Sequence, residues 1–191
     1  MPSSRAALPH SLPVDPVFQL VLDLPVRQPA ANLPRRLTAL FRELAAQDPP
    51  RPVDDIEDLI WALWISHEDR IAEETMGAAV EALEAGTLDE ARQFLDHLVE
   101  RYPDWSEAWN KRATLAFIEK RDAESLADLE RTLELEPRHF GAISGFGQIC
   151  LRNGLLNEAR AAFQVALAIN PHLEGLREII DDLSPDVLML H

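Results

Sequence analysis

Residues 140–173, FGAISGFGQICLRNGLLNEARAAFQVALAINPHL, decide the fold. Small residues (Gly147, Gly154, Ala159, Ala166) stand among large apolar ones (Ile143, Phe146, Phe163), and Pro171 closes the stretch. The same arrangement recurs 34 residues upstream, in SEAWNKRATLAFIEKRDAESLADLERTLELEPRH at 106–139, and again at 72–105. Pro103, Pro137 and Pro171 share this register, as do Ala91, Ser125 and Ala159, and Ala79, Ala113 and Gly147. So do Leu95, Leu129 and Phe163, and Ala82, Ala116 and Cys150. Small residues recur where helices must approach closely, and large apolar ones where the gap must be filled. Proline recurs where a helix must stop, since it lacks the N–H and clashes with the preceding turn. A fixed period of this length marks a repeat array, in which one unit cannot bury its own apolar face and stacking supplies the core.

This pattern resembles the tetratricopeptide repeat family, whose 34-residue unit carries a large residue at position 4, small residues at 8 and 20, an aromatic or Leu at 24 and proline at 32. Residues 140–173 match through Ile143, Phe146, Gly147, Gly154, Ala159, Phe163, Ala166 and Pro171. Residues 106–139 match through Trp109, Ala113, Ser125, Leu129 and Pro137, with Arg112 and Thr132 departing from the usual apolar and small choices. Residues 72–105 supply Ala79, Gly86, Ala91, Leu95 and Pro103, with Thr75 in a weak fourth slot. Segments such as Asn110–Thr114 and Pro137–Gly141 also resemble short bacterial proteins of the family. The resemblance implies an all-α fold, an α-solenoid of antiparallel helix pairs with helical caps.

In the middle unit, helix A is predicted from Ser106 to Glu119 and helix B from Ala123 to Leu135. Asp104-Trp105-Ser106-Glu107 has the spacing of a capping box. Gly86 and Gly154 mark the turns between A and B helices, where glycine takes positive φ at little cost; Lys120 fills that slot in the middle unit and makes a less comfortable turn.

The array divides as 72–105, 106–139 and 140–173. Residues 35–71 read as a degenerate repeat or N-terminal helical cap: Leu37, Leu40, Phe41 and Leu44 lie on one helical face. Pro49-Pro50-Arg51-Pro52 breaks the chain, and a second helix is expected from Asp54 with Glu57 completing a capping box. Trp61 sits beside its stripe, placed to cover the first repeat. Residues 1–34 hold half of the chain's 14 prolines and read as an extended or disordered segment, although Val17 to Leu24 is apolar enough to pack on something. Residues 174–191 read as a cap helix, carried by Leu176, Ile179, Ile180 and Leu183, followed by the apolar tail Val187–Leu190.

Chemistry is scarce. Cys150 is the only cysteine, so neither an intrachain disulfide nor a cysteine-built zinc site is available, and its core slot reads as a buried hydrophobe. His67-Glu68-Asp69 are consecutive, so on a helix they fan around the axis instead of converging on one ion. No P-loop, dinucleotide fingerprint or nucleophile elbow occurs. Catalytic, cofactor and metal sites are therefore not expected. The formal charge is −15, densest in residues 72–139. Such a surface repels phosphate backbones and anionic lipids, which argues against nucleic-acid and membrane partners. With no apolar run near the roughly 18 residues of a membrane span, the chain is expected in the cytoplasm.

What remains is binding. The resemblance implies that A helices line a concave face and that positions 2, 5, 9, 12 and 13 point into it. The residues expected to touch a partner are Met76, Val80, Asn110, Lys111, Thr114, Phe117, Ser144, Gln148 and Arg152. Such a groove is apolar at one end and polar at the other, with Lys111 and Arg152 supplying positive charge in an acidic protein. It suits a peptide or helix of another protein, neutral or basic overall, and an adaptor or scaffold role follows. Some relatives clamp the C-terminal carboxylate of chaperones through Lys and Asn residues; Met76 and Val80 stand in those first-repeat positions here. The alternative is a homo-oligomeric, self-assembling subunit, joined through the Trp-bearing end helices or the C-terminal tail.

Overall fold

The computed structural model describes residues 12–31 and 33–183; the tail Val187–Leu190 lies outside them. Among the described residues there are ten α-helices, one 3-10 turn and no strand. Three antiparallel pairs form the array: α4 (Arg70–Ala85) with α5 (Leu88–Arg101), α6 (Ser106–Ile118) with α7 (Asp122–Leu135), and α8 (Phe140–Arg152) with α9 (Leu156–Ile169). The middle pair lies within one residue of its predicted bounds. Before the array come α1 (Val14–Asp23), α2 (Arg35–Leu44) and α3 (Val53–Ile65); after it comes α10 (Leu176–Asp182), packed on α9 through Leu176 and its neighbours. No helix of the described residues is long and apolar enough to cross a membrane.

The three A–B turns are built alike. Gly86 and Gly154 have φ of 74° and Lys120 has φ of 62°, so the middle turn takes the left-handed conformation without glycine. After each of them the next N–H reaches back five residues: Thr87 to Ala82, Arg121 to Ala116 and Leu155 to Cys150, at 2.9, 2.8 and 2.9 Å. This is the backbone closure that a left-handed cap provides to otherwise orphaned carbonyls. Each B helix then ends two residues before proline; the intervening Tyr102, Glu136 and Asn170 leave the helical conformation as the following proline ring demands, the last two extended.

Departures from the repeat pattern are compensated locally. Ser125 replaces the alanine of the small slot, and its buried hydroxyl donates to the Ala113 carbonyl at 2.8 Å. Thr132 is buried and donates to the Asp128 carbonyl at 2.8 Å. Arg112 stands where the third repeat has Phe146. It forms a two-pronged pair with Asp128 at 2.8 and 2.7 Å and reaches Asp96 at 3.1 Å.

Two features ahead of the array differ from the sequence expectation. Residues 14–23 are helical, not extended: Pro16 falls in the first turn, where its missing N–H has no intrahelical partner to lose. This helix α1 lies across α7 and α9 and touches α8 between them, burying Val14, Val17, Leu20 and Val21. The α2–α3 hairpin, in turn, does not stack ahead of the first repeat. It packs on the loops that follow α7 and α9, in a core of Leu37, Leu40, Phe41, Leu44, Ile56, Ile60 and Trp64 joined by Phe140 and Leu173. Polar ties fix it there: Asn170 Nδ2 donates to Glu57 Oε1 (2.7 Å), Arg138 to Thr38 Oγ1 (3.3 Å), and His172 Nε2 lies 3.1 Å from the Leu44 carbonyl. Glu57 therefore does not close a capping box; Pro52 precedes α3 and no side chain caps it.

Candidate functional site

The A helices α4, α6 and α8 lie side by side, so equivalent repeat positions form rows across them. The row nearest their N-termini is closed by α3. Trp61 sits over Gly141, where an added Cβ would stand 2.6 Å from the indole Cη2, so only glycine admits the ring. Trp64 is buried with its ring stacked on His139, centroids 4.0 Å apart and planes 8° from parallel. Trp61 meets His139, Phe140 and Trp64 edge-on at 5.6, 5.5 and 5.1 Å. Both indoles of the end helix pack on residues of repeats two and three and not over the first repeat, Trp64 buried and Trp61 half-buried.

Beneath this aromatic lid lies a buried polar cluster. The Ala142 N–H donates to His139 Nδ1 at 3.1 Å, so the ring caps α8 and its proton resides on Nε2. That Nε2 donates to Glu107 Oε2 at 2.7 Å. Lys111 Nζ reaches Glu107 Oε1 at 3.2 Å, and Asn110 Nδ2 donates to the same carboxylate at 3.3 and 3.2 Å. Burial alone raises the pKa of Glu107, but the His139 hydrogen bond and the positive charge of Lys111 outweigh it and hold the carboxyl below its ordinary value. Glu107 thus serves this cluster and not a capping box with Asp104, which pairs with Arg131 instead.

The sequence-predicted partner residues divide accordingly. Met76 is fully buried beside Trp105 and Ala108, and Asn110 is 6% exposed, so neither presents a free side chain. Lys111 is committed to Glu107 and lies 5.6 Å from the centroid of the Trp61 ring. Arg152 is exposed but pairs with Asp122, donates to the Phe117 carbonyl at 2.9 Å and covers the Phe117 ring at 3.8 Å. The two cations assigned to a partner therefore already have internal partners. Val80, Phe117, Ser144 and Gln148 are half-buried and Thr114 is exposed. Val80, Thr114 and Gln148 form one row across the three helices, and Leu83, Phe117 and Leu151 the next.

Sequence reasoning gave His139 no role and read Glu107 as part of a capping box, so their pairing beneath Trp64 was missed. The available signal was a histidine directly before helix α8, in N-cap position. A cleft of about 630 Å³ opens beside the lid, between the α3–α4 and α5–α6 turns, lined by Leu63, His67, Glu68, Tyr102, Asp104 and Trp105 among others. Tyr102 donates to Asp69 at 2.7 Å and Trp105 Nε1 to the Trp64 carbonyl at 2.7 Å, so its walls are braced. Among the described residues no group of three His, Cys, Asp or Glu is placed to hold a metal ion. Cys150 is buried, and burial together with Glu158 pushes its thiol up to about 12.

Against known proteins, no family model matches the chain. A TPR repeat-containing protein of Rhizobium etli is 34% identical over 158 residues, covering 83% of this chain and 78% of that protein. Among solved structures, the first TPR of Spaghetti (RPAP3) bound to the HSP90 peptide SRMEEVD is similar with a TM-score of 0.57 and 19% identity, covering 61% of this chain and 93% of that one. The TPR2B domain of yeast Sti1 in its Hsp70 complex gives 0.54 and 18%, covering 63% and 98%.

Proposed function

The chain belongs to the tetratricopeptide repeat family, and we propose that it is a protein-interaction module, an adaptor that holds a peptide or helix of another protein against the open half of its A helices. The observation that carries this reading is the pair of rows Val80–Thr114–Gln148 and Leu83–Phe117–Leu151, in which Thr114 is exposed and the other five are half-buried. They offer an apolar anchor site with hydroxyl and amide groups beside it, and no free cation. A segment with a hydrophobic anchor, neutral or basic overall, suits them, because the chain carries a charge of −15.

The peptides bound to the structural neighbours are not the partner proposed. A terminal carboxylate at the N-terminal row would meet the Glu107 carboxylate and the Trp61 ring, and Met76 and Val80 supply no clamp. Binding, not catalysis, is the activity assigned.

A photo-crosslinking amino acid placed at Thr114 or Gln148, compared with one at the half-buried helix-B position Glu130, tests the reading. A partner protein joined from the A-helix positions alone, and lost with Leu83→Asp, is expected. Equal crosslinking from Glu130, or persistence in Leu83→Asp, would overturn it.

A further inference from the structure

Two N-terminal elements are fixed to the repeats by different means. The α2–α3 hairpin is tied by Asn170–Glu57, Arg138–Thr38 and Trp105 to the Trp64 carbonyl. Helix α1, among the described residues, makes no side-chain hydrogen bond and no ion pair to the repeats. It is held by Val14, Val17, Leu20, Val21 and Leu24, and by Phe18 stacked on Phe146 with centroids 6.4 Å apart. No side chain caps its N-terminus. The segment joining it to α2 carries Pro25, Pro29 and Pro34 and, among its described residues, makes a single backbone hydrogen bond to the array, from Ala30 to the Leu135 carbonyl. Apolar contacts alone are non-directional, and a helix so held can be replaced by another of similar shape.

We propose that the groove between α7 and α9 is a second protein-docking site, occupied in the resting chain by α1 and open to a partner helix of the same apolar pattern. The occupant defines the ligand. Val14, Val17, Phe18 and Val21 follow the i, i+3, i+4, i+7 spacing, so the partner is a short amphipathic helix with a phenylalanine-sized residue at i+4 to meet Phe146. The outward residues of α1 include Asp15 and Asp23 on a chain of net charge −15. A partner helix with lysine or arginine on that face gains the attraction that α1 lacks, which gives it the means to compete. The corresponding groove between α5 and α7 cannot do the same: Arg112 replaces Phe146 in its floor and is committed to Asp128 and Asp96. The site uses B helices and α8 from the other side, so it stands or falls separately from the A-helix reading.

The probe is a labelled peptide of residues 12–26 with lysine in place of both aspartates, titrated into the full-length chain by fluorescence anisotropy. Saturable binding is expected, at least tenfold tighter to the Phe18→Ala chain, whose resident helix is weakened, and lost when the peptide's own phenylalanine becomes alanine. Hydrogen exchange on the wild-type chain should show the α1 amides opening together, well before those of α7 and α8. Equal affinity for wild type and Phe18→Ala would overturn the proposal. So would absent binding, α1 amides as protected as those of α7, or loss of cooperative folding in Phe18→Ala, since a detachable helix cannot be essential to the core.

Discussion

His139 lies flat on Trp64 while its Nε2 donates to Glu107 at 2.7 Å, so a single imidazole joins the N-terminal hairpin to the second and third repeats. One face of the ring takes the indole, one nitrogen caps α8 and the other satisfies a fully buried carboxylate.

Removing that carboxylate should be costly at neutral pH. Glu107→Ala strands Lys111 and the His139 N–H, and a loss of about 3 kcal/mol is expected in urea unfolding. The pH dependence has a definite sign. The folded pKa of Glu107 is depressed below its ordinary 4.5, so its contribution is fully present above that value and is lost as pH falls through the folded pKa. Unfolding curves of wild type and Glu107→Gln should therefore differ most above pH 5 and converge in acid; a gap that widened below pH 4 would contradict the pairing.

Lys120→Gly should stabilise the chain. Lys120 holds φ of 62°, a conformation that costs a side-chain-bearing residue about 1 kcal/mol and glycine little. A rise in the unfolding free energy of up to about 1 kcal/mol is expected, partly offset by glycine's larger unfolded-state entropy.

Gly147→Ala should act in the opposite direction. An added Cβ would fall inside contact distance of the fully buried Phe163 ring, which is packed on every side and cannot swing away. A loss of about 1–3 kcal/mol follows from overpacking of this kind, read as a lower thermal midpoint with helix content unchanged. Gly145 meets only ordinary contacts with Leu129, so Gly145→Ala provides the control.

Cys150 should be silent while the chain is folded. It is buried and its thiol is pushed up to about 12, leaving almost no thiolate at pH 8. Labelling by a thiol-reactive disulfide reagent should follow global unfolding, with a rate that rises in step with urea. A rapid native-state reaction would mean that α8 opens locally.

The 34-residue register was legible because it reflects nearest-neighbour physics. The small slots at Ala113 and Gly147, the filling residues Leu129 and Phe163 and the stop at Pro137 each act within one unit or on the next. A local pattern fixes them, down to the left-handed turn at Lys120. Compensation was half legible: Arg112 and Thr132 stood out as departures, but the Asp128 and Asp96 carboxylates that answer Arg112 required the packing of neighbouring helices.

Where α1, α2 and α3 would go was not legible, because nothing in a helical stripe names the surface that covers it. The stripes of α1 and α3 are visible in Val14–Val21 and in Ile56, Ile60 and Trp64. Pro52 breaks the chain before α3 as its sequence suggests, whereas Pro16 falls in the first turn of a helix. Only the tertiary structure set α1 between α7 and α9 and laid Trp61 and Trp64 on repeats two and three. It thereby buried Asn110 and engaged Lys111, two residues that the family resemblance had assigned to a partner. The sequence by itself determined the repeating frame, since its contacts are short-range and periodic. The tertiary structure decided which faces of that frame remain free, since that depends on long-range contacts, between residues as far apart as Thr38 and Arg138, that no local spacing encodes.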